Sequence, residues 1–303
     1  MDFVDARERR QLALMLVPYL VGLAVLVALP ALVTFGLALF EYDLIRSPTF
    51  VGLDNFRELI EDDVFRMALR NSLVFAAIAV PLRLLAALGL ALLLHSRFRG
   101  VGVHRSAVVL PFVVPEIAYG LLWLWLFNPL YGPINLFLQL GGTAQRTIWG
   151  YPSPQWLTHA NDAQAAIILM SLFVIGEGFV VLLAVRQGIP RELYELAAVE
   201  DADSLFLFWR VTLPLMTPIL LLLLARDTIL TFQATFVPAL VVTEGGPPPY
   251  STTYVPLFVY RTAFEYLRYG YAAAATLTML VLTAAIVYAQ WRIIRRWRRA
   301  FVI

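Results

Sequence analysis

Residues 67–94 read MALRNSLVFAAIAVPLRLLAALGLALLL, a run whose only charges are Arg70 and Arg83. An α-helix needs about 20 predominantly apolar residues to cross a hydrocarbon layer of roughly 30 Å, and this stretch exceeds that. Working outward, comparable runs cover 12–40, 106–128, 163–185, 214–238 and 269–291. The expectation is an all-α polytopic membrane protein with six transmembrane helices in one domain spanning 1–303. The whole chain agrees: of its 303 residues 60% are hydrophobic and only 15% charged, with mean hydropathy +0.76, too little charge for a water-facing surface. The first run follows Arg7, Arg9 and Arg10, as a signal peptide would, but it is far longer than a signal h-region. It is expected to stay as a helix, bent at Pro18 or Pro30.

Absent residue types exclude whole mechanisms. All 23 basic residues are Arg, Cys is absent, and there are three His. Without Lys there is no P-loop and no Schiff-base chemistry; without Cys there is no thiolate nucleophile, disulfide or Cys-ligated metal. His95, His104 and His159 have no metal-ligand spacing. A net charge of +2 does not suggest a nucleic-acid partner.

The distribution of Arg sets the orientation. With the N-terminus inside, fourteen Arg fall in cytoplasmic segments and seven outside, while Arg83 and Arg226 lie within spans. Positive charge in short loops marks the cytoplasmic side, so both termini are expected inside. The C-terminal Arg295, Arg296, Arg298 and Arg299 read as an anchor to anionic membrane lipid. Of the outside segments, 129–162 carries Tyr131, Trp149, Tyr151 and Trp156. These form either an interfacial aromatic belt or a docking surface for an external protein.

The cytoplasmic loop 186–213 is too patterned for a linker. Gly188 can end one helix and Pro190 suits the first turn of the next. Glu192 and Glu195 then sit at a helix N-terminus, where the dipole favours acids, and Leu193, Leu196 and Ala197 make an apolar stripe. Asp203 or Ser204 can cap a second stretch, Leu205 to Leu213, expected to stop at Pro214. From physics alone, two short helices joined by an acidic turn are either an interfacial hairpin or a partner-docking element.

The stretch ELYELAAVEDADSLFLFWRVTLPLMTP at 192–218 resembles the EAA loop of ABC importer permeases. Glu195, Ala197, Ala202, Phe208, Leu213 and Pro214 fall on positions of that motif without a gap, with Ala198 inside it. The chain departs from the pattern at Leu196, in place of the first Ala, and at Glu200 and Asp201, in place of its Asp-Gly. Asp tolerates the left-handed backbone of such a turn better than most residues. VGLDNFREL at 51–59, LPFVVPEIAYGLLWLWLF at 110–127, GIPRELYE at 188–195 and VVTEGGPPPYSTTYVPLFVYRTAF at 241–264 resemble the carbohydrate-importer branch, the maltose- and glycerol-phosphate-type permeases. The likeness covers about residues 12–291.

That resemblance implies a six-helix core in a bacterial or archaeal plasma membrane and one half of a translocation pathway for a sugar. Expected partners are a second permease subunit, a pair of cytoplasmic ABC ATPases and an extracytoplasmic solute-binding protein. ATP and Mg would be bound by the ATPases, with no cofactor in this chain and no catalysis by it. Glu195, Ala197, Ala198, Glu200, Asp201, Ala202, Phe208, Leu213 and Pro214 would form the ATPase contact, with Glu195 as its polar element.

Apart from Arg70, near the outer end of 67–94, five charges lie inside spans: Arg83, Glu116, Glu177, Arg226 and Asp227. Each is costly unless it faces water, the bundle interior or a partner charge. Structural pairing suits Arg83 and Arg226, since Arg holds its charge. Glu116 follows Pro115, where a broken helix can open onto a cavity. Glu177 lies between Gly176 and Gly178, either at a helix-packing notch or at a site. Matching to the maltose-type permease places Phe173, Glu177, Thr228, Thr231, Phe232 and Thr235 on a substrate pathway, and such residue types suit a polyol. Glu177 and Asp227 argue against an anionic ligand, an argument that Arg226 weakens. Two other classes compete. An ion-coupled secondary transporter using Glu116, Glu177 and Asp227 would need paired repeats; an intramembrane enzyme would need a convergent catalytic set. Neither explains the loop at 186–213.

Overall fold

The computed structural model describes residues 6–96, 98–140, 147–148, 151–152, 155–199 and 203–301; for 6–9, 12, 139–140, 147–148, 151–152, 196–199, 294 and 296–301 it describes backbone alone. Helices follow in the order α1 (Ala6–Leu23), α2 (Leu29–Leu37), α3 (Asp54–Glu61), α4 (Asp63–Leu93), α5 (Val101–Val113), α6 (Glu116–Leu126), α7 (Pro133–Leu140), α8 (Ala160–Ser171), α9 (Gly176–Gly188), α10 (Glu192–Val199), α11 (Ser204–Leu207), α12 (Leu213–Ala234), α13 (Phe236–Val241), α14 (Val255–Tyr260) and α15 (Tyr269–Phe301). Strand pairing among the described residues is confined to two antiparallel hairpins, β1 (Phe40–Glu41) with β2 (Thr49–Phe50) and β3 (Thr147–Ile148) with β4 (Tyr151–Pro152). The protein is all-α.

Four stretches are long and apolar enough to cross a membrane unbroken: Ala13–Leu37, Asp63–Leu93, Ser204–Val241 and Tyr269–Ile293. Two bent helix pairs bring the number to six if each is one span. The run expected as one helix over 106–128 is such a pair, α5 and α6 turning by 102°. The cause is local: Pro115 has no N–H to continue the ladder and its ring drives Val114 out of the helical region, to φ −69° and ψ 132°. The run expected over 163–185 is the other pair, α8 and α9, bent by 43°. The first run is a continuous helix in which a five-residue π-helical turn, Ala24–Ala28, lies just before Pro30 and joins α1 to α2. Pro18 stays inside α1.

The loop 186–213 corrects one expectation. Its second helix does not stop at Pro214. Asp203 caps α11, its carboxylate accepting the N–H of Phe206 at 2.7 Å. A π-helical turn, Phe208–Thr212, then carries the backbone straight into α12. Pro214 falls in the first turn of α12; it has no N–H to offer the preceding turn, and the wider π turn ahead of it makes room for its ring and absorbs the change of pitch.

The chain forms two compact units. One holds the described residues up to Asp62 together with Val259–Thr278. Its first span buries none of its length inside the protein, as suits a helix apolar all round. In β1 and β2, Phe40 opposes Phe50, their rings edge to face at 5.4 Å. The Asp43 carboxylate accepts the N–H of Arg46 at 2.8 Å and of Ile45 at 3.0 Å, which holds it below the usual carboxylate range. Asn55, from the 51–59 motif, is buried and donates to the carbonyls of Ala38 and Phe40. Gly270 is required here, because a Cβ would run into the Phe40 carbonyl.

The second unit takes in Asp63–Phe258 and the chain from Met279 onward. One apolar cluster gathers Phe75, Trp123, Phe127, Met170 and Tyr254; another gathers Ala87, Leu88, Phe179, Leu182 and Met216. Helix α4 serves both, and its Ala76, Ala79, Ala87 and Ala91 let neighbours approach closely. The 241–264 motif folds into a tight loop here. Gly245 and Gly246 both adopt φ +88°, and a Cβ on Gly246 would collide with Thr252. Asn71 donates to the carbonyls of Tyr250 and Thr253, and Gln164 to that of Ser251. Burial pushes the Tyr254 phenol above its ordinary range.

Candidate functional site

Between the two apolar clusters lies a cavity of about 460 Å³. Its walls come from α4, both halves of the α5–α6 and α8–α9 breaks, and α12. A break in each pair brings polar side chains and backbone to a depth where an unbroken helix would show only its apolar face.

Four of the five intramembrane charges meet as two ion pairs. Arg83 on α4 donates through Nε to Asp227 on α12 at 3.1 Å, and its terminal nitrogen bonds the Thr231 hydroxyl. Thr231 in turn donates to the Asp227 carbonyl at 2.6 Å. Arg226, the next residue on α12, pairs with Glu177 at the start of α9. Successive residues on a helix point about 100° apart, so α12 reaches α4 with one side chain and α9 with the next. The Arg83–Asp227 side chains are 12% and 25% exposed, those of Arg226–Glu177 37% and 41%. The fifth charge, Glu116, lines the cavity in the first turn of α6 and has no ion-pair or hydrogen-bond partner among the described residues. Thr235 also lines it, with a buried hydroxyl lacking a partner there.

The structure divides the remaining expected pathway residues. Thr231 and Thr235 line the cavity with Glu177. Thr228 and Phe232 are buried away from it; Thr228 accepts a bond from Gln290 at 2.9 Å. The Phe173 ring packs on Trp123 at 5.1 Å, outside the lining. Ser171, Tyr119 and Gln233 line the cavity without having been singled out from sequence. A signal for two of them existed: Tyr119 follows Glu116 by three residues and Gln233 follows Arg226 by seven, each spacing returning to one helix face.

At the other end of α9 lies the loop 186–213. Glu195 is exposed on α10, Phe208 is half-buried in the π-helical turn, Leu213 packs against the second apolar cluster, and Pro214 is exposed. Ala197 and Ala198 lie in α10, while Glu200, Asp201 and Ala202 fall outside the described residues. In the segment 129–162, Trp156 is held inward: it donates to Asn135 at 2.8 Å and stacks on Phe127. Tyr131 is exposed, and Trp149 is outside the described residues. No group of three or more potential metal ligands occurs among the described residues.

This arrangement of broken helices around a charged cavity, with a helical loop at one end, is that of a membrane permease. Residues 102–299 match the family described as the binding-protein-dependent transport system inner membrane component, and the chain belongs to that family. It is 31% identical over 272 residues to the probable ABC transporter permease protein YesP of Bacillus subtilis (strain 168), covering 89% of this chain and 85% of that one. It is 29% identical over 296 residues to the sulfoquinovosyl glycerol transport system permease protein SmoG of Agrobacterium fabrum, covering 97% and 93%. Its fold superimposes with a TM-score of 0.81 on a chain of a bacterial alginate ABC transporter crystallised with an alginate pentasaccharide-bound periplasmic protein, at 21% identity and 96% coverage of both chains. The chain is thus a permease subunit of an ABC importer, and nothing supports the ion-coupled alternative.

Proposed function

We propose that this chain forms half of the pathway of an ATP-driven importer for a sugar or sugar-like polyol, pairing with a second permease subunit. A pair of cytoplasmic ABC ATPases, which bind the ATP and Mg, docks on the loop 186–213 around Glu195, and a solute-binding protein delivers substrate from outside. Both termini are cytoplasmic, and the Arg-rich C-terminal turn of α15 meets anionic lipid. The observation that carries this reading is that α9 and α12 run from that loop to the cavity, where they meet again through Glu177 and Arg226. Thr231, Thr235, Glu177 and the unpaired Glu116 offer hydroxyl and carboxylate partners to a polyol. The related SmoG and alginate proteins name saccharide derivatives as their cargo.

Energy enters through the partners. ATP-driven closure of the ATPases shifts the loop, and the cavity passes between inward- and outward-open states. The test is purification of the tagged chain from its native membrane in mild detergent, with mass spectrometry and an ATPase assay. Recovery of an ABC ATPase and a second permease is expected, with ATP turnover lost in Glu195→Ala. A chain that purifies alone and drives proton-coupled uptake in liposomes would overturn the reading.

A further inference from the structure

The end of α9 remote from the cavity carries a cluster that the transport reading does not use. Arg186, near that end, places its guanidinium over the ring of Tyr194 on α10, 4.6 Å from the centroid. The Tyr194 hydroxyl meets the hydroxyl of Thr212 at 2.8 Å, where the π-helical turn enters α12. Thr212 is buried, although polar, which marks the bond as shielded from water. A second nitrogen of Arg186 donates to His95 Nε2 at 3.4 Å, and His95 Nδ1 lies 2.6 Å from the Leu92 carbonyl. Arg105 on α5 closes the cluster by donating to the Leu94 carbonyl at 2.7 and 3.0 Å, capping the end of α4. One side chain on α10 therefore holds both α9 and α12.

Those two helices meet a second time. Glu177 lies nine residues before Arg186, about 13 Å along α9 at 1.5 Å per residue. Arg226 lies fourteen residues beyond Thr212, about 20 Å along α12. Helices α9 and α12 pack on each other through Phe179, Leu182 and Met216, and that contact is bridged at either end, by Glu177–Arg226 at the cavity and by Tyr194 at the loop. Helices transmit displacement along their length because their backbone bonds are internal, so a change at one cross-link must be met at the other. A shift of α10 alters the separation of Arg186 and Thr212 directly.

We propose that Tyr194 is a positioning residue that conveys displacement of α10 to the cavity, its ring gripping α9 through Arg186 and its hydroxyl gripping α12 through Thr212. This rests on the proposed docking of ATPases at the loop. A residue that merely packed would affect assembly and melting alone. Tyr194 instead governs how far the cavity responds to nucleotide.

The chain has no cysteine, which allows a direct test in the complete complex held in lipid nanodiscs. A cysteine introduced by Ser171→Cys reports from the cavity wall, away from the Tyr194 cluster. Its maleimide labelling rate is measured with and without a non-hydrolysable ATP analogue and Mg. With Tyr194 intact, the analogue is expected to change the rate; with Tyr194→Leu, that change shrinks about fivefold or more while the ATPases still co-purify. Tyr194→Phe, which keeps the ring on Arg186, and Thr212→Val are each expected to weaken the response, and the pair together no further than one alone. A full response in Tyr194→Leu overturns the proposal. Should that variant fail to assemble, full responses in both Tyr194→Phe and Thr212→Val overturn it. No response with Tyr194 intact would instead overturn the docking of ATPases at this loop, and the role of Tyr194 with it.

Discussion

In its first turn α9 carries Glu177, ion-paired to Arg226 on α12; nine residues later Arg186 is bridged to the turn that enters the same helix by the ring and hydroxyl of Tyr194. Beside the first link a second ion pair, Arg83–Asp227, joins α12 to α4. The more enclosed of these, Arg83–Asp227, is hard to exchange, because a charge that loses its partner there stays poorly solvated. A cation over an aromatic ring and a bond between hydroxyls cost about 1 kcal/mol each to break. The difference separates links at the cavity that are costly to part from links at the loop that are individually weak.

The sharpest way to break this comparison is at the most enclosed charge. Arg83→Leu is expected to destabilise the purified complex by about 3–5 kcal/mol, since Asp227 would be left without its neighbour. Arg83→Leu combined with Asp227→Leu should recover most of that loss, which thermal melting of both variants checks. The more exposed Arg226 should cost less when removed alone. Equal costs at the two sites would show that burial does not set the strength of these links.

These pairings mark the boundary of what the sequence discloses. The spans, the loop and the identity of the five intramembrane charges are legible from composition and period, because each depends on neighbours along the chain. The cap of α11 is legible to within one residue, Asp203 or Ser204, for the same reason: the partner that Asp203 takes is three residues away. Which Arg meets which acid is not, since Arg83 and Asp227 are 144 positions apart and their encounter depends on helix packing. The 102° turn at Pro115 is half legible. Proline announces a break, but its angle is set by what α6 packs against. Thr228 and Phe232 show the converse, because they share α12 with Thr231 and lie on faces turned from the cavity.

The next effect tests whether the cavity end is fixed by packing as well as by charge. A Cβ on Gly176 would lie 3.0 Å from both the Phe112 Cβ and the Val109 Cα of α5, whereas one on Gly178 meets only the Ala87 Cβ at 3.7 Å. Gly176→Ala is therefore expected to cost about 1–3 kcal/mol as α5 is pushed away. Gly178→Ala should be neutral or gain up to about 1 kcal/mol from helix propensity. Melting of the two variants side by side separates them. At the loop end Thr212→Val should cost only about 0.5–1.5 kcal/mol, the loss of one hydrogen bond.

The smallest effect serves as the control for the largest. Arg57 and Asp54 form an ion pair of 3.4 Å on α3, close in length to the 3.1 Å of Arg83 and Asp227, but their side chains are 79% and 70% exposed. If separation alone determined the worth of a charge pair, Arg57→Ala and Arg83→Leu would cost similar amounts. Water solvates either partner of the exposed pair once the other is gone, so Arg57→Ala is expected to cost less than about 1 kcal/mol. Even that should vanish in about 1 M salt, where the Debye length falls to roughly 3 Å. The penalty of Arg83→Leu should persist in the same salt, because counterions reach the enclosed pair poorly. Melting curves of the two variants at low and high salt decide the matter. A salt-insensitive gap between them assigns the strength of the Arg83–Asp227 link to its enclosure, and a gap that closes in salt returns it to ordinary surface electrostatics.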